Sequence, residues 1–405
     1  MSSAVDRFMR YIAIDTQSDP DSGSTPSTSK QFRLAKLLAE EMTAMGVSDV
    51  RYDEEHCYVY GEIPANCDGD IPAVAFIAHI DTAPDAPGDA SNAGIVTDYD
   101  GGVIALNGSV SLDPKAYPEL RNYEGCDLIV TDGVSLLGAD DKAGIAEIMT
   151  MAERLINDPS IPHGRVGMAF TSDEEICGNA RFFDIEGFGM DYAYTVDGGP
   201  VGEIEYENFN AAEAIIRVSG RNIHPGDAKD VMVNAVRIAA ELDVLLPQAE
   251  RPEHTEGYDG FFHLTSLSGG VTEAESRYII RDHDDEKFQI KLDLMQKSVD
   301  FLNLKYNGAV GLELTEQYRN MRKLIEPHMF LVENAKKAFA DCGVEPVVLP
   351  IRGGTDGAML TYRGLPCPNL STGGHNFHSN TEYIPVQSLE KMADVLVELA
   401  SLPAI

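Results

Sequence analysis

The chain has 405 residues, and at about 150 residues per domain this length predicts two or three domains. It contains 31 Lys and Arg against 66 Asp and Glu, which gives a formal net charge of −35. So acidic a chain lacks the clustered cations that bind nucleic-acid phosphates or anionic lipid, so we expect neither as a partner. Its hydrophobic share of 43% is enough for a globular core, so the acidity does not indicate disorder.

The apolar runs and the cysteines indicate the cellular compartment of the protein. The longest apolar run, residues 71–78, is far shorter than the roughly 18 residues that cross a bilayer. The first residues lack the charged and apolar regions of a signal peptide. The six cysteines form no CxxC pair, so they indicate neither a disulfide framework nor a zinc ribbon. We therefore expect a soluble protein of the reducing cytoplasm.

The first 200 residues have the pattern of an α/β layer. Helical spacing of apolar residues predicts helices over 4–14 and 31–45, and the Ser- and Pro-rich segment 17–29 between them predicts a loop. Short apolar runs then predict buried strands, with an Ala- and Met-rich helix among them. The predicted strands are 72–78, 127–130, 166–170 and 192–196, and the predicted helix is 142–155. Such alternation is typical of a sheet with helices on both faces.

The pattern changes after residue 208. Strand-like and helical segments follow in the order β-α-β-β-α-β, which is the ferredoxin-like split unit. The segments are 211–219, 231–246, two strands within 261–282, 287–304 and 309–318. A helix at 329–340 and a strand at 347–349 then return to the first pattern. We therefore predict an inserted α+β domain at 208–320 within a discontinuous α/β domain formed by 1–207 and 321–405.

Acidic residues and histidines gather just after the predicted strands. His79 and Asp81 leave strand 72–78 on one side, because alternate residues share a face. The carboxyl ends of such strands are where ligands bind in open α/β sheets. For this pair taken alone, a loop histidine beside a solvated aspartate is the better explanation. Asp140 and Asp141 precede the helix at 142–155, where they cap it or bind a hard cation.

Three more groups of candidate residues follow in the chain: the run 173–175, Asp197, and the histidines His375 and His378. Each also has an ordinary explanation, such as a solvated acidic loop. Together they predict a two-metal site, because zinc accepts His nitrogen and carboxylate oxygen. In such a site one carboxylate bridges the ions and a further, unliganded carboxylate activates water.

The motifs resemble those of the M20 metallopeptidases, most closely the aminotripeptidases among them. The resemblance covers nearly the whole chain in order. Its motifs are AHIDTAPD at 78–85, LLGADDKAG at 136–144, DEE at 173–175, YTVDGG at 194–199, NIHPG at 222–226, MVNA at 232–235, YIIRD at 278–282, PIRGGTDG at 350–357 and LPCPNL at 365–370.

The resemblance implies a fold and an activity. The fold is a discontinuous di-zinc peptidase domain, 1–207 and 321–405, with helices on both faces of a mixed sheet. Residues 208–320 form an inserted ferredoxin-like lid that is also the dimerisation surface of a homodimer. The activity is metal-dependent release of the N-terminal residue from unblocked tripeptides, with two zinc ions per subunit and a short peptide as the substrate.

The resemblance also implies roles for individual residues. Asp140 bridges the two zinc ions; His79 and Asp197 complete one site, and Glu175 and His378 complete the other. The two catalytic residues outside the ligand set are Glu174, the general base, and Asp81, which orients His79. The implied substrate contacts are His224, which stabilises the carbonyl oxygen across the dimer, and Arg281 and Arg352, which bind the peptide's C-terminal carboxylate.

Some alternatives remain at this point. Another M20 hydrolase, such as a dipeptidase, a carboxypeptidase or an N-acyl amino-acid amidohydrolase, would share the fold and the metal chemistry. A non-catalytic binding protein on the same fold is a further alternative, although every expected catalytic group is present. The chain departs from the aminotripeptidase pattern at Ser172, Cys177 and His375, and His375 competes with His378 as a ligand.

Overall fold

The computed structural model describes residues 3–69, 71–176 and 180–401. Local signals define the first helices. Ser3 and Asp6 form a reciprocal capping box at the first, and the second ends at Gly46, whose φ of +89° suits glycine. The helices are α1 Ala4–Ile12, α2 Gln31–Met45, α3 Ala139–Asn157, α4 Ile185–Phe188, α5 Ala235–Leu245, α6 Asp285–Tyr306, α7 Arg322–Ile325, α8 Phe330–Asp341, α9 Asp356–Tyr362 and α10 Val386–Ser401.

The strands of the described residues form four sheets, two of them large. They are β1 Ser48–Asp53, β2 Tyr58–Ile63, β3 Val74–His79, β4 Gly94–Val96, β5 Ile104–Asn107, β6 Val110–Leu112, β7 Leu128–Val130, β8 Val166–Thr171, β9 Tyr192–Gly198, β10 Glu203–Glu205, β11 Asn210–Ser219, β12 Phe261–Gly269, β13 Glu273–Asp282, β14 Val310–Tyr318, β15 Val347–Val348, β16 Asn369–Ser371 and β17 Tyr383–Pro385.

The first large sheet is mixed and has β3 near its centre. Its strand order is β1-β2-β8-β3-β9-β16-β10-β15. Strand β3 is parallel to both β8 and β9, whereas β2 runs antiparallel to β8. All six residues of β3 are buried, as expected for a strand covered on both faces.

Helices cover both faces of this sheet, as predicted. Ala75 and Ile77 of β3 belong to a buried cluster with Leu360 of α9. Val74 and Phe76 alternate with them and point to the other face. There α3 packs against β3 and β9, and α1 and α10 pack against α3. The α/β class predicted from the sequence is confirmed.

Some predicted elements differ from those in the structure. Strands β1 and β2 were not predicted, because β1 is a largely polar edge strand and Gly61 and Glu62 interrupt the apolar run of β2. Strand β7 lies in a separate three-stranded sheet with β4 and β17, not beside β3. Helix α5 begins four residues later than predicted, because the side chain of Asn234 caps it by accepting a hydrogen bond from the Arg237 N–H.

The chain divides into two compact units. The first comprises Met1–Tyr206, Lys323–Leu349 and Thr355–Ile405, and the second comprises Glu207–Arg322 and Pro350–Gly354. The second unit has the element order β11-α5-β12-β13-α6-β14, in an antiparallel sheet of strand order β12-β13-β11-β14. Helices α5 and α6 pack on this sheet over a core that includes Ile216, Leu242, Tyr278 and Met295. The predicted boundaries 208–320 do not include Pro350–Gly354.

Candidate metal centre

Three neighbouring strands of the first unit bring candidate ligands to one edge of the sheet. His79 is the last residue of β3, and Asp197 lies near the end of β9. Glu174 and Glu175 follow β8 after two residues. Because β3, β8 and β9 are parallel, their carboxyl ends meet at this edge. Two other segments of the same unit complete the group, with Asp140 in the first turn of α3 and His378 before β17.

The carboxylate of Asp140 lies between two histidines. Its Oδ1 is 2.9 Å from Nε2 of His79, and its Oδ2 is 3.2 Å from Nε2 of His378. A second carboxylate faces each histidine: Asp197 Oδ1 lies 3.4 Å from His79 Nε2, and Glu175 Oε2 lies 2.8 Å from His378 Nε2. The structure thus brings the five predicted ligands together as two groups that share Asp140.

The donor atoms fit a metal ion. The ligand atoms of His79, Asp140 and Glu175 all lie within 4.8 Å of one another, and so do those of His79, Asp141 and Asp197. Oε1 of Glu175 is buried and has no hydrogen-bond partner among the described residues. Imidazole nitrogen together with carboxylate oxygen is a donor set that zinc accepts. These residues therefore form a site that can hold metal ions.

The charges of the group favour a cation there. Burial opposes ionisation of Asp140, but hydrogen bonds from His378 and His79 outweigh it and hold its pKa well below the usual value. Burial, and then the charge of Asp140, raise the pKa of Glu175 to about 8. Burial raises the pKa of Asp197 to about 7. So many carboxylates repel one another in a buried site unless positive charge compensates them.

Glu174 lies beside the ligand groups and joins neither of them. It lines a small cavity together with His79, Asp197 and Asp356. Burial, and then the charge of Asp197, raise the pKa of its carboxyl well above the usual value. A carboxyl with a raised pKa next to candidate metal ligands is suited to exchange a proton.

Asp81 is fully buried and supports both the histidine and the acidic segment. Its backbone oxygen lies 3.0 Å from Nδ1 of His79, closer than its carboxylate Oδ1 at 3.4 Å. The carboxylate accepts hydrogen bonds from the N–H groups of Glu174, at 3.0 Å, and Glu175, at 3.3 Å. Asp81 therefore orients His79 mainly through its backbone, while its side chain holds the backbone that carries Glu174.

Several side chains around the site make contacts that the sequence did not predict. Asp141 accepts a hydrogen bond from the His79 N–H at 3.1 Å, and Asp356 accepts one from the Thr171 hydroxyl at 2.8 Å. Asp85 Oδ2 lies 3.5 Å from Nδ1 of His378. The motifs contain all three, but their partners lie in distant segments. Asp85 could have been found from the sequence, because it lies in the segment that directly follows β3, where ligand-binding residues were expected.

Two of the three departures from the family pattern, Ser172 and His375, lie in the part of the chain that the structure describes. His375 is buried, its Nε2 lies 2.7 Å from the Tyr123 hydroxyl, and its ring stacks on Tyr383. It belongs to neither group of ligand atoms among the described residues. The hydroxyl of Ser172 donates to the backbone oxygen of His56 at 2.7 Å. Cys177 lies outside the described residues.

The predicted substrate contacts lie in the second unit. His224 is exposed, and its Nδ1 accepts a hydrogen bond from the Gly226 N–H. Arg281 donates to the backbone oxygen of Arg352 at 3.1 Å, while its Nε is buried without a partner among the described residues. Arg352 donates to backbone oxygens and, at 3.1 Å, to the Thr255 hydroxyl. The two arginines are therefore neighbours.

Comparison with known proteins identifies the class to which this site belongs. The model of peptidase family M20/M25/M40 matches residues 132–402. The chain belongs to this peptidase family. Within it, the chain groups with peptidase T: it is 52% identical to Peptidase T of Alkaliphilus oremlandii, with 99% of each chain covered.

Solved structures of lower sequence identity share the fold. Aminopeptidase PepT from Bacillus cereus superposes with a TM-score of 0.77 at 24% identity, covering 98% of this chain and 97% of its own. A tripeptidase from Staphylococcus aureus superposes with a TM-score of 0.78 at 20% identity and the same coverage.

None of the helices in the described residues is long and apolar enough to cross a membrane.

Proposed function

We propose that this protein is a zinc-dependent aminotripeptidase, which releases the N-terminal residue from unblocked tripeptides. The observation that carries the proposal is the position of Asp140, whose two oxygens face His79 and His378 while Glu174 lies alongside. A carboxylate so placed suits a bridge between two metal ions. The full-length similarity to peptidase T supports the same activity.

In this proposal the site residues have two roles, metal binding and proton transfer. His79 and Asp197 would hold one zinc ion, Glu175 and His378 would hold the other, and Asp140 would contribute to both sites. When bound, the ions polarise the scissile carbonyl and lower the pKa of the attacking water. Glu174 takes the proton from that water and returns it to the leaving amine. Burial raises the pKa of the Glu174 carboxyl, which helps it hold the proton between the two transfers.

The proposal extends to substrate capture and assembly. Arg281 and Arg352 bind the C-terminal carboxylate of the peptide, since a guanidinium matches a carboxylate with two hydrogen bonds. His224 donates to the carbonyl oxygen where negative charge develops. The exposure of His224 is consistent with a residue that acts on a substrate held elsewhere. The protein acts as a homodimer in the cytoplasm.

Cleavage of three peptides tests the activity. An unblocked tripeptide, the matching dipeptide and the N-acetylated tripeptide are incubated with the protein, with and without a chelator. We expect release of the N-terminal residue from the unblocked tripeptide alone, lost on chelation and restored by zinc. Cleavage of the dipeptide or of the blocked peptide instead would indicate another M20 hydrolase. No cleavage of any of the three would favour a binding protein.

Replacing Arg281 with Lys is expected to weaken peptide binding. A lysine loses one of the two hydrogen bonds to the carboxylate, and a charged hydrogen bond contributes about 1.5–3 kcal/mol. Arg281→Lys should therefore raise KM by roughly 10- to 100-fold with little change in kcat. Arg277→Lys is the matched control, since this arginine lies in the same strand and pairs with Glu275. An unchanged KM for Arg281→Lys would contradict the role of Arg281.

Replacing Asp85 with Asn is expected to have a small effect. Asp85 lies 3.5 Å from His378, but its side chain is 53% exposed. Water and salt screen such a contact, which limits an ion pair to about 1 kcal/mol. Asp85→Asn should therefore lower kcat by less than about 10-fold. A loss of about 100-fold, typical of a partner that fixes a metal ligand, would show a stronger role.

A further inference from the structure

Glu382 has four hydrogen bonds that the proposed function does not use. This glutamate is 1% exposed and lies four residues after His378. Its Oε2 accepts from the N–H groups of Leu137, at 2.7 Å, and Gly138, at 2.9 Å. Its Oε1 accepts from those of Ala139, at 2.7 Å, and Asp140, at 3.2 Å. One carboxylate thus binds four consecutive amides.

These amides belong to the turn that begins α3. The local cap of this helix, the Asp141 carboxylate, accepts from the Gly144 N–H at 3.2 Å and from none of the four amides that Glu382 binds. The first N–H groups of a helix have no partners within it, and a nearby Ser, Thr, Asp or Asn usually caps them. Here the capping position is Gly138, which has no side chain and a φ of +79°. Glu382 supplies the missing acceptor from a segment that lies 243 residues further along the chain than Ala139.

The same turn sets the position of Asp140. Its φ of −88° and ψ of 102° lie outside the helical range, although the residue falls within α3. The backbone of Asp140 therefore follows no regular helix, and helical hydrogen bonding alone does not fix where its carboxylate points. The hydrogen bond from the Asp140 N–H to Glu382 fixes this backbone directly.

Glu382 is also connected to His378, the second residue of the contact between Asp140 and His378. The residues from His375 to Tyr383 form a loop whose ends pair, with the His375 N–H donating to the Tyr383 oxygen at 2.9 Å and the reverse bond at 3.1 Å. Inside it, Asn376 donates to the Thr381 oxygen. His378 and Glu382 lie in this loop, so a shift of Glu382 moves both the Asp140 backbone and His378.

We propose that Glu382 is a positioning residue that sets the distance from Asp140 to His378, so that Asp140 reaches both ligand groups. This inference rests on the proposed function, because it assumes that Asp140 bridges two ions. The simpler alternative is that Glu382 only stabilises the fold as a distant helix cap. The alternatives differ in metal binding, because a cap affects unfolding alone.

Titration of the metal-free full-length protein with Co²⁺ tests the proposal. Glu382→Gln keeps the side-chain size but presents an NH₂ group to amides that need an acceptor. We expect its Co²⁺ affinity to fall by about 10- to 100-fold at one site or both, with an altered visible absorption spectrum. Asp284→Ala is the control: Asp284 caps α6, in the second unit, by accepting from two N–H groups, and alanine offers them no acceptor. It should lose thermal stability and keep the wild-type Co²⁺ titration.

A second variant decides the question if Glu382→Gln does not fold. Glu382→Asp keeps the charge and withdraws the carboxylate by one methylene, so we expect a Co²⁺ affinity between those of the wild type and Glu382→Gln. Wild-type affinity and spectrum in the folded variants would overturn the positioning role, even if they unfold at lower temperature. A wild-type protein that binds no Co²⁺ would overturn the proposed function, and this inference with it.

Discussion

Glu174→Gln is expected to lower kcat by about 10²- to 10⁴-fold, the usual contribution of a general base. The amide has nearly the same size as the carboxyl group but accepts no proton from water. The backbone N–H of Glu174 still donates to Asp81, so the fold of the segment should persist. Steady-state kinetics on an unblocked tripeptide measures the loss, and metal analysis should still find zinc bound.

The matched control is another buried glutamate of the first unit. Glu147 lies in α3, and neither of its carboxylate oxygens has a hydrogen-bond partner among the described residues. Burial raises its pKa well above the usual value. Glu147→Gln makes the same chemical change as Glu174→Gln at a residue that belongs to neither ligand group, and should leave kcat unchanged. Undiminished hydrolysis by Glu174→Gln would rule out Glu174 as the base.

Asp140→Ala is expected to remove zinc from both sites. The carboxylate faces both histidines, so its loss takes one oxygen ligand from each group at once. Loss of a residue that only supports a metal ligand lowers activity by about 10- to 100-fold. Because Asp140 is itself a proposed ligand, hydrolysis should fall by more than this. Metal content after dialysis and kcat on a tripeptide are the two measurements.

Asp158→Ala is the control for this variant. Asp158 directly follows the other end of α3, is exposed, and bonds with Ser160. Its removal should leave zinc content and kcat at wild-type values. If Asp140→Ala retained two zinc ions per chain, Asp140 would not be the bridging ligand.

The sequence predicted elements well where one periodic pattern dominates. The apolar run of β3 and the helical spacing of α2 lie where the pattern placed them. Strand β1 was missed because an edge strand is exposed on one side and carries polar residues, and β2 was missed because Gly61 and Glu62 interrupt its apolar run. The start of α5 was misplaced because the capping side chain of Asn234 ends the preceding segment. Periodicity does not detect either effect.

The sequence by itself determined which residue types stand at the ends of the buried strands. His79, Glu174, Glu175 and Asp197 follow apolar runs that belong at the centre of a sheet. Parallel strands then bring these residues to one edge. The family resemblance favoured His378 over His375 and gave Asp140 its shared role, since strand patterns decide neither.

Only the tertiary structure decided how these residues meet. It turned the Asp81 carboxylate towards the backbone of Glu174 and placed Glu382 on the amides that precede Asp140. The physical reason is that these hydrogen bonds join segments about 90 to 240 residues apart. Local periodicity and turn chemistry depend on neighbours within a few positions, whereas such contacts depend on how the sheet, α3 and the loop of His378 pack together.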